Sequence, residues 1–164
     1  MKPIAVVGIS ILSVLFFSCT TLLLPASTVK NSSTENYKYI YITPTKNLTS
    51  SAGEVYGGAY GLYGATQSKS VNPADVISGL LTKKGFIRLP ELKAELNDKT
   101  LIVNYGESGK RDTGLGGYTI EVTIQFVSGK LNELVSSCTA EGQGQTEADD
   151  IRQAINRCLV ALFP

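Results

Sequence analysis

The sequence predicts an α+β fold: a two-layer sandwich in which two helices pack on one face of a mostly antiparallel sheet of four or five strands. Two patterns carry this prediction. Residues 118–126 alternate apolar and polar side chains, the period of a strand with one buried and one solvated face. Residues 73–84 and 146–162 repeat apolar side chains at three- and four-residue steps, the period of amphipathic helices.

The strands are assigned from side-chain alternation and from the residues that end each run. In residues 37–43, Ile40 and Ile42 face one way, three tyrosines face the other, and Pro44 ends the run. The remaining assignments are strands at 86–89, 100–105 and 134–141, a helical turn at 90–98 and a polar hairpin loop at 106–117.

Residues 53–64 are unusually rich in glycine, with five glycines and three tyrosines. Glycine loses more backbone entropy on folding than any other residue, which disfavours a helix here. The segment is therefore predicted to be a long loop that packs through its aromatic rings.

Both helices carry recognisable start signals. Asn72 is a favourable N-cap before Pro73, and Gly85 follows the last turn of this first helix. Thr146 is the predicted N-cap of the last helix, with Asp149 three residues later in a pattern that resembles a capping box.

The amino terminus predicts export from the cytoplasm. Lys2 is followed by an apolar run at 4–17 and then by Ser18 and Cys19. A positive start, an apolar core and a small residue before a cysteine are typical of a bacterial lipoprotein signal, in which Cys19 is acylated and anchors the protein to a membrane.

This interpretation divides the chain into a signal peptide at 1–18, a flexible tether at 19–36 and a single α+β domain at 37–164. Two other fates stay open. Ordinary cleavage after Ala26 gives a soluble periplasmic protein, and an uncleaved segment gives a membrane anchor. All three place the chain in the cell envelope, and the lipoprotein interpretation favours attachment to the outer membrane.

Charge and composition exclude several functions. Lys2 is the one charge in the signal peptide, so the 146 residues that follow carry 14 basic and 14 acidic side chains. Nucleic acid is not an expected partner, because phosphate binding needs an excess of Lys and Arg. The chain contains no histidine, and the sequence predicts neither a metal site nor a cofactor.

Cys138 and Cys158 form a candidate disulfide. Cys138 falls near the end of a predicted strand, and Cys158 lies on the apolar stripe of the last helix. An exported chain meets conditions in which disulfides persist, and such a bridge would stabilise the fold by roughly 3 kcal/mol. Two buried thiols that pack as small apolar side chains are the alternative.

Five segments carry a resemblance to a known group of proteins. They are residues 71–77, 84–86, 99–106, 147–154 and 162–164. In these segments the chain resembles small Gram-negative envelope lipoproteins of unknown function, and the resemblance covers residues 37–164. It implies a lipoprotein with a compact α+β domain, and it brings no substrate, cofactor or catalytic residue with it.

Six tyrosines form the candidate binding surface. They lie on the first predicted strand and in the glycine-rich segment: Tyr37, Tyr39, Tyr41, Tyr56, Tyr60 and Tyr63. An exposed aromatic strip can stack on sugar rings or hold a protein partner. The alternative is that the loop covers the strip and the rings pack on one another.

A hydrolase acting on envelope glycans or peptides is the alternative function. Glu107 and Asp112 lie in the charged hairpin loop, and Glu121 and Glu141 are predicted to lie close together on the solvated sheet face. A glycosidase needs two carboxyl groups about 5 to 9 Å apart in a cleft, whereas acidic loop residues beside Lys and Arg are mostly solvated. The sequence therefore favours a non-catalytic binding or assembly module with an envelope protein or glycan as its partner.

Overall fold

The computed structural model describes residues 22–58, 61–114 and 117–164, with the backbone alone in 52–58 and 61–67. The strands in these ranges are β1 (Ser27–Lys30), β2 (Tyr39–Ile42), β3 (Leu48–Gly58), β4 (Gly61–Val71), β5 (Ile87–Arg88), β6 (Thr100–Gly114), β7 (Gly117–Ser128) and β8 (Leu134–Gly142). The helices are α1 (Pro73–Lys83) and α2 (Glu147–Leu162), with a 3-10 helix at Ala94–Lys99. Within the same ranges, no helix is both long enough and apolar enough to cross a membrane.

Six strands form one mixed sheet in the order β1-β8-β7-β6-β2-β5. β2 runs parallel to β5 and β6, and the remaining neighbours pair antiparallel. β3 and β4 pair with each other as a separate two-stranded ribbon. The predicted mostly antiparallel sandwich with four or five strands is therefore wrong, because the sheet is larger and mixed and a second sheet is present.

The β3–β4 ribbon stands where the sequence predicts a loop at 53–64. The two strands pair antiparallel along their whole length, and Tyr56 lies opposite Tyr63. Glycine disfavours a helix, but in a paired ribbon its backbone N–H and C=O groups still find partners across the ladder. The glycine-rich composition marks a strand pair here, and the loop prediction is wrong.

The region predicted as a tether at 19–36 contributes β1. All four β1 residues are exposed, so the segment lacks the alternation of burial from which a strand is recognised. β1 pairs with the edge of β8, with Ser27 opposite Thr139 and Lys30 opposite Ser136. Part of the predicted tether thus belongs to the sheet.

The β6–β7 hairpin is longer than the sequence predicts. Residues 106–117 are assigned to a loop, yet β6 continues to Gly114 and β7 begins at Gly117. Two register shifts interrupt the pairing in this stretch. Such bulges admit polar and glycine residues into a ladder, which explains why the composition resembles that of a loop.

The core lies between the main sheet and the two helices. The sheet contributes fully buried side chains at alternate positions: Ile40, Leu101, Val103, Ile120, Val122, Ile124 and Phe126. Helix α2 lies on β7 and β8 and contacts α1, and the helices contribute Ile77, Leu81, Ile151, Ala154, Ile155 and Cys158.

The alternation predicted along β7 is confirmed from Ile120 to Phe126, whereas Tyr118 at its start is 40% exposed. Each large apolar side chain buried here stabilises the fold by about 1.5–3 kcal/mol.

Both predicted helix starts are confirmed. Asn72 Oδ1 accepts a hydrogen bond from the Ala74 N–H at 3.0 Å, and α1 begins at Pro73. The Thr146 hydroxyl accepts a hydrogen bond from the Asp149 N–H at 3.3 Å. These caps satisfy N–H groups that have no partner within the first turn of a helix.

Candidate functional site

Glu141, near the end of β8, binds the backbone of the amino-terminal segment. Its carboxylate accepts two hydrogen bonds from the Arg111 guanidinium, both at 2.7 Å, and one from the Leu24 N–H at 3.0 Å. Arg111 also donates to the Leu22 carbonyl at 3.3 Å. The Glu141 side chain is only 4% exposed, so water screens this pair less than it screens a surface ion pair.

Arg157 of α2 completes the contact. Its Nη1 donates to the Glu141 carbonyl and its Nη2 to the Leu24 carbonyl, each at 2.6 Å. We name Arg111, Glu141 and Arg157, together with the backbone of 22–24 that they bind, the amino-terminal clamp. The clamp fixes the chain just before it enters the sheet as β1.

The clamp sets the protonation state of Glu141. Hydrogen bonds from Arg111 lower the pKa of Glu141 from 4.5 to about 2, burial opposes this shift, and the Leu24 N–H adds to it. The carboxylate is therefore charged in all but strongly acidic solution, so Arg111 faces a negative charge over that range.

The carboxylates considered for a hydrolase have separate partners. Glu107 accepts a hydrogen bond from the Tyr105 hydroxyl at 3.2 Å, and Asp112 accepts one at 2.7 Å from a backbone N–H in its own turn. Glu121 lies opposite Glu141 in the register of β7 and β8, but Glu141 belongs to the clamp. None of these four carboxylates lines any of the three cavities that lie beside Tyr37 and Tyr41. The described residues therefore do not gather these four carboxylates around a cleft.

Ion pairs join the start of α2 to the ribbon and the hairpin. Lys69 Nζ lies 2.8 Å from an Asp149 carboxylate oxygen, and Lys110 Nζ lies 3.5 Å from Glu147. The hydrogen bond from Lys69 lowers the pKa of Asp149, whereas burial raises the pKa of Asp150. These contacts place the base of the β3–β4 ribbon against α2.

Cys138 of β8 and Cys158 of α2 are joined as a disulfide, with their Cα atoms 5.5 Å apart. Both residues are buried in the core. The bridge links the sheet to the helix that covers it. The two separate thiols that the sequence left open are not the arrangement in this structure.

Three of the candidate tyrosines lie at or near β2. Tyr39 and Tyr41 are half-buried on the sheet face opposite the core, because they alternate with the buried Ile40 and Ile42. Tyr37 precedes the strand and packs against the core. These three tyrosines therefore do not form one exposed strip.

The other three candidate tyrosines belong to the ribbon region. Tyr56 and Tyr63 occupy opposite positions in the β3–β4 register. Tyr60 lies outside the described residues, as do Cys19 and the predicted signal peptide. The ribbon is a separate sheet from the one that contains β2, so Tyr56 and Tyr63 do not share a sheet face with Tyr39 and Tyr41.

A cavity of about 520 Å³ lies between residues 30–37 and the C-terminal ends of both helices, and we name it the helix-end cavity. Its volume is within the range of small-molecule sites. Three aromatic residues line it, Tyr37, Phe86 and Phe163, together with the hydroxyl-bearing residues 32–34. It thus combines ring surfaces with hydrogen-bonding groups.

The walls of the helix-end cavity are held in place. The N–H groups of Asn31 and Ser32 donate to the Val135 carbonyl of β8 at 2.9 and 3.2 Å. The rings of Phe86 and Phe163 pack edge to face with centroids 5.6 Å apart. The site is therefore formed by the folded chain before any ligand arrives.

The helix-end cavity is lined by two cationic side chains, Lys30 and Lys84, and one anionic side chain, Glu35. Lys30 and Glu35 have opposite charges, and the Lys84 ammonium donates to the Phe163 carbonyl. Ser136 also lines the cavity and is 2% exposed. Among the described residues, its Oγ is one of two buried side-chain atoms without a hydrogen-bond partner. An unpaired buried hydroxyl costs about 1–3 kcal/mol of folding stability.

Tyr37 stands between two cavities. A second cavity of about 450 Å³ shares Ser32, Ser33 and Tyr37 with the first. A third, of about 210 Å³, lies beside Tyr41. The shared wall places the two larger cavities side by side, which suits a ligand longer than one ring.

Of the residues that line this site, Tyr37 alone belongs to the predicted binding surface. Lys30 and Ser136 meet because β1 pairs with β8, and β1 has no sequence signal. Phe86 and Phe163 each follow the end of a helix. An aromatic residue just past each helix terminus was therefore the one feature of the sequence that could have indicated this cavity.

No family model matches the chain, and no curated protein matches it. Among solved structures, the chain is similar to a dodecamer of a PelC variant from Paraburkholderia phytofirmans, with 13% identity, a TM-score of 0.48, and coverage of 84% of this chain and 95% of that one. It is also similar to a PelC dodecamer from the same organism in another crystal form, with 11% identity, a TM-score of 0.48, and coverage of 86% and 97%.

Proposed function

We propose that this chain is an exported lipoprotein of the bacterial envelope, anchored by acyl chains on Cys19 and held at the outer membrane, whose domain binds a partner without catalysing a reaction. The amino-terminal pattern supports export and acylation. The disulfide between Cys138 and Cys158 suits the oxidising conditions outside the cytoplasm.

The amino-terminal clamp is the observation that carries this proposal. Cleavage after Ala26 would remove residues 22–24 and leave Arg111, Glu141 and Arg157 without the backbone groups that they bind. Cleavage before Cys19 keeps every one of these contacts. The clamp therefore favours a mature chain that begins at Cys19 over the shorter periplasmic form.

The partner in this proposal is an uncharged saccharide that occupies the helix-end cavity. The apolar face of a sugar ring packs well on an aromatic ring such as that of Tyr37. Its hydroxyl groups suit the hydroxyl-bearing residues 32–34. The lining carries Lys30 and Lys84 against Glu35, and the Lys84 ammonium is bound to the Phe163 carbonyl, so the site offers no charge cluster that selects an ionic ligand.

A non-catalytic role is supported by the partners of the hairpin carboxylates. Glu107, Asp112 and Glu141 are each bound by neighbouring groups, and the lowered pKa of Glu141 is the reverse of what a general acid needs. A hydrolase would need a carboxyl group with a raised pKa beside a second one in a cleft.

Fractionation of cells that produce the full chain tests the anchor. The unsubstituted protein is expected in the membrane pellet, and Cys19→Ser is expected in the soluble fraction or retained as the uncleaved precursor. An uncleaved Cys19→Ser precursor in the pellet is recognised by its greater mass, and equal distribution of both proteins at the same processed mass would contradict the acylation proposal.

Titration with cellotetraose, followed by NMR of the amide groups, tests the ligand. We expect shifts at residues 30–37 and 162–164, and Tyr37→Ala should weaken binding at least tenfold. Tyr118→Ala is the matched control, since it removes a 40% exposed tyrosine far from the cavity. A saccharide site would be contradicted if neither cellotetraose nor the N-acetylglucosamine tetramer shifts the amide signals at roughly 20 mM, a concentration at which even very weak binding is detected.

A further inference from the structure

The end of the domain that carries the clamp also carries exposed apolar side chains. Leu22 is 87% exposed, Leu24 52% and Tyr118 40%. Arg111 connects these residues, since it binds the Leu22 carbonyl and lies opposite Thr119, the neighbour of Tyr118, in the hairpin register. All three residues therefore lie near the end of the β6–β7 hairpin, where Tyr118 points with Lys110 to the helix-covered face of the sheet, and Arg111 points to the other face.

The clamp keeps the two leucines in this position. A free segment could fold its leucines over nearby apolar surface, but Glu141 and Arg157 bind both the N–H and the carbonyl of Leu24. The main chain of this segment is thus fixed while its side chains stay in contact with solvent. Exposed leucines that are fixed in this way suggest an apolar partner outside the domain.

We propose that this end of the domain is a second membrane-binding surface, in which Leu22, Leu24 and Tyr118 enter the headgroup region of the bilayer that holds the lipid anchor. The location of this surface rests on the proposed function, because it assumes that Cys19 carries the lipid anchor. Cys19 and Leu22 are three residues apart, so the chain can separate them by no more than about 10 Å. A tyrosine, with an apolar ring and a polar hydroxyl, suits the membrane interface.

The charges at this end of the domain determine which kind of membrane surface it would bind. The carboxylates of Glu107 and Asp112 lie on the hairpin, where they would repel an anionic surface, and the hairpin cation Arg111 is paired with Glu141. Lys110 is paired with Glu147 at 3.5 Å and lies 5.0 Å from the centre of the Tyr118 ring. Attraction to the membrane is therefore apolar, and the preferred surface is zwitterionic.

This arrangement orients the domain. The first turn of α2 meets the hairpin through Glu147 and Lys110, while its last residue borders the helix-end cavity. With 16 residues, α2 is about 24 Å long. The cavity then opens on the side of the domain away from the bilayer, where a ligand can reach it.

Flotation with phosphatidylcholine vesicles tests this surface without the lipid anchor. The protein is the mature chain with Cys19→Ser, which has no acyl group, so the result does not depend on acylation in the cell. We expect this chain to float with the vesicles and the further double change Leu22→Ser and Leu24→Ser to reduce the bound fraction at least tenfold. The matched control is Leu131→Ser, which removes a leucine that is 61% exposed in the β7–β8 turn at the opposite end.

Two results would overturn the proposal. One is equal flotation of the double variant and the Leu131→Ser control, with circular dichroism showing that both are folded. The other is binding that requires phosphatidylglycerol and disappears at high salt, since that behaviour belongs to charge attraction. Vesicle binding that depends on the two leucines supports the surface even if Cys19 proves not to be acylated, so the two proposals fail separately.

Discussion

The end of the domain that carries the amino-terminal clamp and the end that carries the helix-end cavity are stabilised by different interactions. At the clamp end, the buried Glu141 carboxylate and the partly exposed Arg111 guanidinium form an ion pair that also binds main-chain groups. At the cavity end, Phe163 packs edge to face on both Phe86 and Phe126, with ring centroids 5.6 and 5.5 Å apart. The first kind of contact responds to protonation, and the second does not.

This difference matches the two roles that we propose. A segment that leads to a membrane anchor is held by strong directional bonds to its backbone, which do not depend on the identity of its side chains. A ligand cavity needs rigid ring surfaces and a few polar groups. Each role can therefore be disturbed by a substitution at one end that leaves the other end intact.

The largest expected loss of stability comes from a substitution at the cavity end. Phe126→Ala removes a fully buried ring from the core and is expected to lower the free energy of unfolding by about 3–5 kcal/mol. Urea unfolding at pH 7 and at pH 3 should give the same loss, because no titrating group is involved. A loss below about 1 kcal/mol would contradict the packing described here.

A close contact between β8 and α2 gives the next largest expected loss of stability. A Cβ atom at Gly142 would overlap the Asp150 carbonyl, so Gly142→Ala must displace the helix or the strand. We expect a loss of about 3 kcal/mol, the upper end of the range for overpacking. Gly106→Ala is the control, since nothing lies within 4 Å of a Cβ there. Equal unfolding midpoints in urea for the two variants would contradict the β8–α2 contact.

Glu141→Gln tests the clamp with a smaller expected effect. It keeps the size of the side chain but removes the charge that Arg111 binds, and a loss of about 1.5–3 kcal/mol is expected at pH 7. Because folding lowers the pKa of Glu141 from 4.5 to about 2, the carboxylate stabilises the fold fully above pH 4.5, and this stabilisation disappears as the pH falls toward 2.

The unfolding free energies of the unsubstituted chain and Glu141→Gln should therefore converge in acid. Glu121→Gln is the matched control, at the register partner of Glu141 on β7, and is expected to change stability by less than about 0.5 kcal/mol. A difference between the unsubstituted chain and Glu141→Gln that is the same at pH 7 and pH 2.5 would show that the charge of Glu141 does not hold the clamp.

Sequence patterns predicted the parts of the fold that have a local signal. The caps at Asn72 and Thr146 and the alternation along β7 depend on residues a few positions apart, and the structure confirms them. The strand count was wrong because β1 has no buried side chain and because the ribbon is rich in glycine.

The two candidate sites depend on contacts that are distant in sequence. Leu24 and Glu141 are 117 residues apart and meet only in the folded chain. The helix-end cavity joins residues near position 30 to residues near position 160. Of its lining, only Tyr37 belonged to the predicted set, because aromatic residues on a strand are visible in a sequence and a cavity between distant segments is not.

The intact mass and the amino-terminal peptide of the protein extracted from membranes test the central claim most directly. The account predicts a chain that begins at Cys19 and carries a diacylglyceryl or triacyl group on that residue. An unacylated chain that begins after Ala26, or an intact precursor that is soluble in the cytosol with its first residues packed into the domain, would contradict it.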